Sequence, residues 1–216
     1  MSREAVKKGR KRAPNPIQDG HARILKAAES LFAKRGYSAV TIKSIASGSG
    51  QSQANVIYHF KTKKDLYISV LRHARERLAG HFVPPEEGAM SSNLGQYIRV
   101  FARRHLEMLA RDEKAVRLLY REILGYGPIE GKELANKILD HDLGCFVKAL
   151  KGNAGAMRKG VDPAAAAFLI LGINAMFVHA GKVVRHMPGG EFASGQEKFH
   201  KEVMNILLGG ILENNR

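Results

Sequence analysis

The sequence has 216 residues, of which 44% are hydrophobic and 25% are charged. This composition is typical of folded globular proteins and excludes a wholly disordered chain, while the length predicts one or two domains. A single cysteine, Cys145, excludes an internal disulfide framework and a cysteine-rich zinc module. The basic N-terminal stretch has no apolar run after it, so we expect no secretory signal and a cytoplasmic protein.

The formal net charge is +15, and it is concentrated in the first third of the chain. Residues 1–77 contain 17 Lys and Arg against 5 Asp and Glu, a net charge of +12, whereas residues 78–216 contain 18 against 15, a net charge of +3. A whole segment with this excess favours a polyanionic partner, either a nucleic acid or an acidic membrane surface.

Helical periodicity accounts for most of the chain, and neither a strand nor an internal repeat is predicted. After a basic arm, apolar spacing predicts a first helix that Gly36 ends, two short helices capped by Thr41 and Ser52, and a longer helix capped by Thr62. A joint follows at Pro84 and Pro85. Five more helices are predicted over residues 94–110, 113–124, 130–151, 163–186 and 194–212. The predicted fold class is all-α, with about nine helices.

The two short helices around a glycine turn form a helix-turn-helix pattern. In such a pair the second helix is short and polar on one face, so that it can lie in the major groove of DNA while the first helix braces it. The pattern alone is weakly specific because many helical proteins contain such corners. Its place inside the basic segment strengthens the interpretation.

Residues 23–71 resemble the N-terminal domain of the TetR family of bacterial transcriptional regulators. The resemblance is carried by the following residues at the family's spacing: Ile24-Leu25-x-Ala27-Ala28-x-x-Leu31-Phe32-Ala33, Gly36-Tyr37, Thr41-Ile42-x-x-Ile45-Ala46, Gly50-x-Ser52 and Tyr58-His59-Phe60-x-x-Lys63-x-x-Leu66. It implies a flexible basic arm (1–18), a helix-turn-helix domain with a linker helix (19–82) and a C-terminal helical bundle that binds an effector and dimerises (83–216).

Two positions depart from the family pattern. Gln51 stands where an apolar residue is usual, so its amide needs a hydrogen-bond partner or exposure, and Ile57 replaces a common tyrosine.

By this resemblance the helix 53–58 is the recognition helix. Gln53 and Asn55 can each form a bidentate pair with adenine, and Lys43 can reach guanine from the bracing helix. The alternative interpretation of these side chains is a solvated polar face.

Five further residues are implied to lie near DNA phosphates. Thr41 and Ser52 are first of all helix caps, and the family places these positions close to the backbone of the duplex. Tyr58, His59 and Lys63 resemble the family's phosphate clamp, and Lys63 also begins a helix, where free backbone N–H groups favour an anion.

Four polar residues lie on otherwise apolar helices of the C-terminal bundle: His105, Tyr120, Asn174 and His179. A buried polar group needs a partner, which is either another side chain or a bound small molecule. The resemblance implies that an effector cavity lies among these central helices. We predict no metal and no cofactor, because no His or Cys pair has the spacing of metal ligands.

The helix 163–186 is apolar on all sides over residues 164–173, and the final helix carries a wide apolar stripe. A helix without a polar face must be covered all round, so two such helices from each of two chains predict a homodimer with a four-helix, two-fold interface. The alternative is a larger monomeric core, and a membrane span is not predicted because the apolar stretch 164–178 is short and interrupted. The predicted interface residues are Phe168, Ile170, Leu171, Val203, Leu207 and Ile211.

Together with these patterns, the resemblance implies a ligand-responsive transcriptional regulator, a repressor that binds a palindromic DNA operator as a homodimer and is released by a small molecule. One alternative is a protein that binds nucleic acid or anionic surfaces without sequence preference. A further alternative is an enzyme with a site in the C-terminal bundle.

Overall fold

A computed structural model of the chain describes the backbone of residues 16–80 and 93–212, and the side chains of these residues except 16–18 and 139–142. Within these ranges the fold is built from helices, and the β-type pairing described is an isolated bridge between Met157 and Leu212. The predicted all-α class is confirmed. Residues 1–15 of the predicted arm, the proline joint and the predicted domain boundary at residues 82 and 83 lie outside the described ranges.

The described α-helices agree with most of the predicted segments to within a few residues. In chain order they are α1 (Pro16–Arg35), α2 (Ile42–Ser49), α3 (Gln53–Phe60), α4 (Lys63–Ala79), α5 (Leu94–Arg111), α6 (Glu113–Ile123), α7 (Gly131–Leu134), α8 (Asp140–Gly152), α9 (Pro163–Val184) and α10 (Gln196–Ile211).

Side-chain caps fix the two short helices of the helix-turn-helix. Thr41 Oγ1 accepts a hydrogen bond from the Ser44 backbone N–H, and Ser44 Oγ accepts one from the Thr41 N–H, both at 3.1 Å, which forms a capping box on α2. Ser52 Oγ caps α3 in the same way by accepting from the Asn55 N–H at 3.1 Å. Helix α2 ends at Ser49 and is followed by its C-cap Gly50, whose φ of 67° is left-handed.

The chain divides into two compact units between Val70 and Leu71, inside α4. The core of the first unit joins α1 to α4 through aromatic rings. The ring of Tyr67 lies 4.9 Å from that of Phe32 and 5.1 Å from that of Tyr37, and Phe32 is fully buried. Burying one such side chain stabilises the fold by about 1.5–3 kcal/mol, so this cluster anchors the frame on which α2 and α3 are held.

The core of the second unit is formed by α5, α8, α9 and α10. Phe101 on α5 stacks on Phe146 on α8 with ring centroids 3.9 Å apart, and Ile170 on α9 and Met204 on α10 are fully buried in the same cluster.

The helix predicted over 130–151 is interrupted in the structure. A π-helical segment, Ala135–Leu139, joins α7 to α8. Such a segment bonds each residue to one five positions away, so a search for a period of 3.6 residues does not detect it. The final helix, α10, begins at Gln196, two residues after its predicted start, and a 3₁₀ turn (Gly190–Ala193) precedes it. A Cβ at Gly190 would lie 1.9 Å from the Val184 carbonyl oxygen, so this tight turn requires glycine.

Helix α9 is long and apolar, yet much of it is not covered within the single chain. Phe168, Leu169, Met176 and Val183 are each more than half exposed. By length and hydropathy α9 is the one helix in the described part of the chain that could cross a membrane, and a third of its most apolar 18-residue window is buried. An exposed apolar surface of this kind is typical of an interaction site.

Candidate nucleic-acid interface

Helix α3 presents one face to solvent and packs the other into the first unit. Gln53, Ala54, Ile57 and Tyr58 are exposed, and Tyr58 is 73% exposed. This i, i+1, i+4, i+5 spacing places the four residues on one side of a helix. Val56 and Phe60 are buried on the opposite side, so the helix is fixed while its outer face is free to meet a groove.

Three more of the predicted contact residues precede α3 in the chain: the two caps and the lysine of α2. Thr41, Lys43 and Ser52 are all exposed. Thr41 and Ser52 use their hydroxyl groups as caps, which agrees with the first of the two roles expected for them. A capping hydroxyl group at a helix N-terminus lies beside free backbone N–H groups, which are suitable donors for a phosphate.

Asn55 lies on the half-buried side of α3 and is already hydrogen-bonded. Its Nδ2 group donates to Oε1 of Gln51, which gives the unusual polar residue Gln51 the partner that its position requires. The surroundings are close packed, because a Cβ at Gly20 of α1 would lie 3.7 Å from side-chain atoms of Gln51, Asn55 and His59. This bond uses one of the two N–H donors of Asn55 Nδ2, so the other N–H and Oδ1 are left to pair with a base, although the side chain is half-buried.

His59 belongs to an aromatic cluster rather than to an open surface. Its ring meets that of His21 edge to face at 5.7 Å, and His21 in turn stacks on Phe60 at 4.6 Å. His59 is half-buried. The cluster ties the end of α3 to α1.

Lys63 ties α4 to the turn between α1 and α2. Its Nζ donates to the backbone carbonyls of Tyr37 at 3.0 Å and Val40 at 2.9 Å, and it lies 4.1 Å from the centre of the Tyr37 ring. The half-buried ammonium group thus satisfies two carbonyl groups of the turn, and its role in the free protein is structural.

Sequence reasoning missed three residues that the structure presents beside the predicted ones. Ala54 and Ile57 complete the exposed face of α3, and Lys61, with a φ of 57°, is exposed in the turn after it. Ala54 and Ile57 could have been found from the helical spacing, since they flank Gln53 and Tyr58 on a helical wheel. Lys61 could have been found as the basic residue next to the end of α3.

The four predicted effector residues fall into two pairs. Asn174 Nδ2 donates to the Ala102 carbonyl at 2.7 Å and lies 3.3 Å from His105 Nδ1. Both side chains are buried, and burial lowers the pKa of His105 to about 4. Asn174 Oδ1 is also buried and has no hydrogen-bond partner among the described residues, so protein groups satisfy this pair only in part and its effector role stays a prediction.

Tyr120 and His179 form the second pair, with ring centroids 4.9 Å apart. Burial raises the pKa of Tyr120 to about 12, whereas His179 is exposed. His179 therefore belongs to the outer side of α9.

The six predicted interface residues differ in exposure. Phe168 is 69% exposed, and Leu171, Val203 and Leu207 are half-buried. Ile170 and Ile211 are 0% and 5% exposed, so the structure places these two in the core of the single chain rather than at an interface. The reason is that one side of α9 and one side of α10 pack into the core of the second unit.

The outer side of α9 carries a continuous stripe that sequence reasoning identified only in part. Its members are exposed and follow the 4-3-4-3-4 spacing of one helix face: Ala165, Leu169, Gly172, Met176, His179 and Val183. An apolar groove of about 360 Å³ continues this surface onto α10, where Ile206 is 76% exposed.

Two short capped helices, the second with a free outer face, define this chain as a helix-turn-helix protein with a second, helical unit. Residues 24–70 match the model for "Bacterial regulatory proteins, tetR family", which supports the predicted resemblance over this segment.

Two transcriptional regulators are similar to parts of this chain. The HTH-type transcriptional regulator QacR of Staphylococcus aureus is 45% identical over 49 residues, which cover 23% of this chain and 26% of QacR. The HTH-type transcriptional regulator RutR of Escherichia coli is 31% identical over 139 residues, which cover 64% of this chain and 63% of RutR. The chain thus spans about a quarter of one relative and less than two thirds of the other.

The fold is also that of a solved TetR family transcriptional regulator from Chloroflexus aurantiacus. The TM-score is 0.67 at 14% sequence identity, and the match covers 94% of this chain and 96% of that one. This similarity extends the shared fold to the second unit.

Proposed function

We propose that this protein is a transcriptional regulator that binds a palindromic DNA operator as a homodimer. The observation that carries the proposal is the exposed outer face of α3, held by its Ser52 cap and by the buried Val56 and Phe60. This face lies in a segment with a net charge of +12. A capped helix with one free face and a basic surround has the properties required for entry into a major groove.

Sequence readout is assigned to Gln53 and Lys43, with Ile57 as an apolar contact. Gln53 can bond adenine through both amide atoms, Lys43 can bond guanine, and an exposed aliphatic group can contact a thymine methyl group. Asn55 is a further candidate, since its second N–H and its Oδ1 can pair with adenine while it stays bonded to Gln51.

Phosphate contact is assigned to the exposed Tyr58 and Lys61 and to the capped starts of α2 and α3 at Thr41 and Ser52. His59 reaches a phosphate only at the edge of its aromatic cluster. Lys63 contributes by holding the turn between α1 and α2, and its remaining N–H is the group that can meet a phosphate.

Dimer formation is assigned to the stripe of α9 and the apolar groove shared with α10. The stripe is apolar except for His179, and it is regularly spaced and exposed in the single chain, which is the pattern of a helix that packs against another helix. Two copies related by a two-fold axis each cover the other's stripe. This arrangement favours a second copy over a bilayer as the partner of α9, and the protein is then a cytoplasmic one.

Regulation is assigned to the second unit, where a small molecule shifts the spacing of the two recognition helices. Half-sites on DNA lie about 34–36 Å apart for such dimers, so a ligand that changes this spacing weakens operator binding. The resemblance to the TetR family favours repression with release by the ligand.

The experiment is a selection of bound duplexes from a random DNA pool with the full-length protein. We expect a two-fold symmetric motif, and Gln53→Ala relaxes the preference at one position of each half-site, by about 1–3 kcal/mol per lost bidentate contact. Lys34→Ala, on an exposed site of α1, is the matched control and leaves the motif unchanged. A selection that returns no motif favours a protein that binds by charge alone.

A further inference from the structure

A groove of about 540 Å³ lies in the second unit between α5 and α10. Small-molecule sites commonly have volumes of roughly 300–1,000 Å³. Its charged lining consists of Arg99, Arg103, Glu107, Glu197 and Lys201, and the imidazole of His200 lies beside them. None of the four residues predicted for the effector lines it.

Positive charge exceeds negative charge in this groove, and part of it is not neutralised. Arg103 Nε pairs with Glu107 Oε1 at 3.1 Å. Arg99 instead donates to the neutral amide oxygen of Asn205 at 3.0 Å. No ion pair is described for Arg99 or Lys201 among the residues with described side chains, so these two cations remain available to an anion.

The surroundings of His200 indicate the same excess of positive charge. Its Nδ1 is buried and has no hydrogen-bond partner among the described residues. Its pKa is lowered by burial and by the nearby Arg103 and Arg99, while Glu107 acts in the opposite direction. Two guanidinium groups therefore lie close enough to the imidazole ring to disfavour a further positive charge.

The groove also has an apolar part, since Val100 and Leu106 of α5 line it beside the amide groups of Gln96 and Gln196. Arginine forms paired hydrogen bonds with carboxylate and phosphate groups, and lysine adds a mobile point charge. A ligand that fits this lining carries one anionic group and a small apolar body.

We propose that the groove between α5 and α10 binds a small organic anion, whose carboxylate or phosphate group is held by Arg99 and Lys201 and whose apolar part lies against Val100 and Leu106. Binding itself does not depend on DNA. The role of this anion as the effector rests on the proposed function.

The test is isothermal titration calorimetry of the full-length protein without DNA, with benzoate in one arm and inorganic phosphate in the other. We expect at least one of them to bind with one site per chain. Combined Arg99→Gln and Lys201→Gln substitutions weaken that binding by at least about tenfold, which is the scale of one lost charge-assisted hydrogen bond. The double variant Arg111→Gln with Lys198→Gln removes the same charges from exposed positions on the same two helices outside the groove, and it retains the wild-type affinity.

Binding in one arm only identifies the anionic group and supports the site. The proposal is overturned if neither anion binds the wild-type protein, or if the groove variant and the control variant lose affinity equally. Operator binding is measured in a separate experiment. A protein that selects no DNA motif can therefore still bind the anion, and a protein that binds no anion can still select a motif.

Discussion

At the scale of single residues, two lysines around the end of α3 have different surroundings. Lys63 bonds two backbone carbonyls of the turn after α1, whereas Lys61 is exposed in the turn after α3. Sequence similarity alone assigns phosphate contact to Lys63, because spacing does not show where a flexible side chain finds its partners. The exposed neighbour is the better candidate for a purely electrostatic contact.

We predict that Lys63→Met lowers the stability of the first unit by about 1.5–3 kcal/mol, the scale of hydrogen bonds from a charged donor. Lys61→Gln leaves stability unchanged but weakens binding to all duplexes and lowers the salt slope by about one unit. Chemical denaturation and binding titrations over a salt series measure the two effects. Equal stability of the Lys63→Met variant and the wild type contradicts the structural role.

His105 predicts a dependence of stability on pH. Burial holds its pKa at about 4 in the folded protein, below the ordinary value of about 6.5 for an unfolded chain. The unfolded state therefore binds one more proton between these values, so stability is fully present above pH of about 6.5 and falls as the pH decreases, by at most about 1.4 kcal/mol per pH unit.

Denaturation curves across this pH range test the prediction. His105→Gln removes the titrating group and flattens the decrease, whereas His186→Gln, at an exposed site, leaves the wild-type slope. An unchanged slope in His105→Gln shows that other groups cause the decrease.

At the scale of secondary-structure elements, the turn between α6 and α7 closes over a buried carboxylate. Glu122 is 3% exposed, and its Oε1 accepts from the Ile129 backbone N–H at 2.6 Å. A Cβ at Gly127 would lie 1.4 Å from the other carboxylate oxygen. Glycine at this position is therefore what allows the turn to pass so close to Glu122.

We predict that Gly127→Ala destabilises the protein by about 1–3 kcal/mol, as is usual for overpacking. Gly131→Ala is the matched control, because a Cβ there meets nothing within 4 Å and the residue is helical. Thermal denaturation of the two variants separates the close contact from a general effect of replacing glycine. A Gly127→Ala variant as stable as the wild type refutes this account of the turn.

The sequence predicts elements well where local chemistry decides the structure. The bounds of α2 and α3 are set by the caps Thr41 and Ser52 and by the C-cap Gly50. These residues can be identified from the amino-acid sequence alone. The π-helical segment and the tie from Lys63 to Tyr37 are not visible, because the first breaks the helical period and the second joins residues 26 positions apart.

The candidate site is predictable to the same extent. Spacing identifies Gln53 and Tyr58 on the outer face of α3, but the burial of Asn55 depends on how α3 packs against α1. Likewise, the all-apolar sequence of α9 indicates that both sides of the helix are to be covered. It does not indicate which side packs into the core of its own unit, where Ile170 lies, because tertiary packing decides this.

At the scale of the whole molecule, the exposed stripe of α9 predicts self-association. The double variant Leu169→Glu, Ile206→Glu places two negative charges on exposed positions of this surface. We expect it to keep the core of the single chain and to lose the dimer. Arg185→Glu changes the net charge by the same amount at an exposed site beyond the end of α9 and keeps the dimer. Sedimentation at micromolar concentration gives the masses, and a wild-type protein that sediments as a monomer contradicts the predicted interface.

Specific binding by a dimer is the central claim, and competition binding tests it most directly. A labelled duplex carrying the selected palindrome is titrated with full-length protein at about 0.15 M salt, where charges further apart than about 8 Å are largely screened, in the presence of a large excess of unrelated DNA. We expect the wild type to retain the palindrome at least about a thousandfold better than bulk DNA. The Leu169→Glu, Ile206→Glu variant loses this preference while it still binds DNA weakly. Equal retention of the palindrome and of bulk DNA by the wild type contradicts the account.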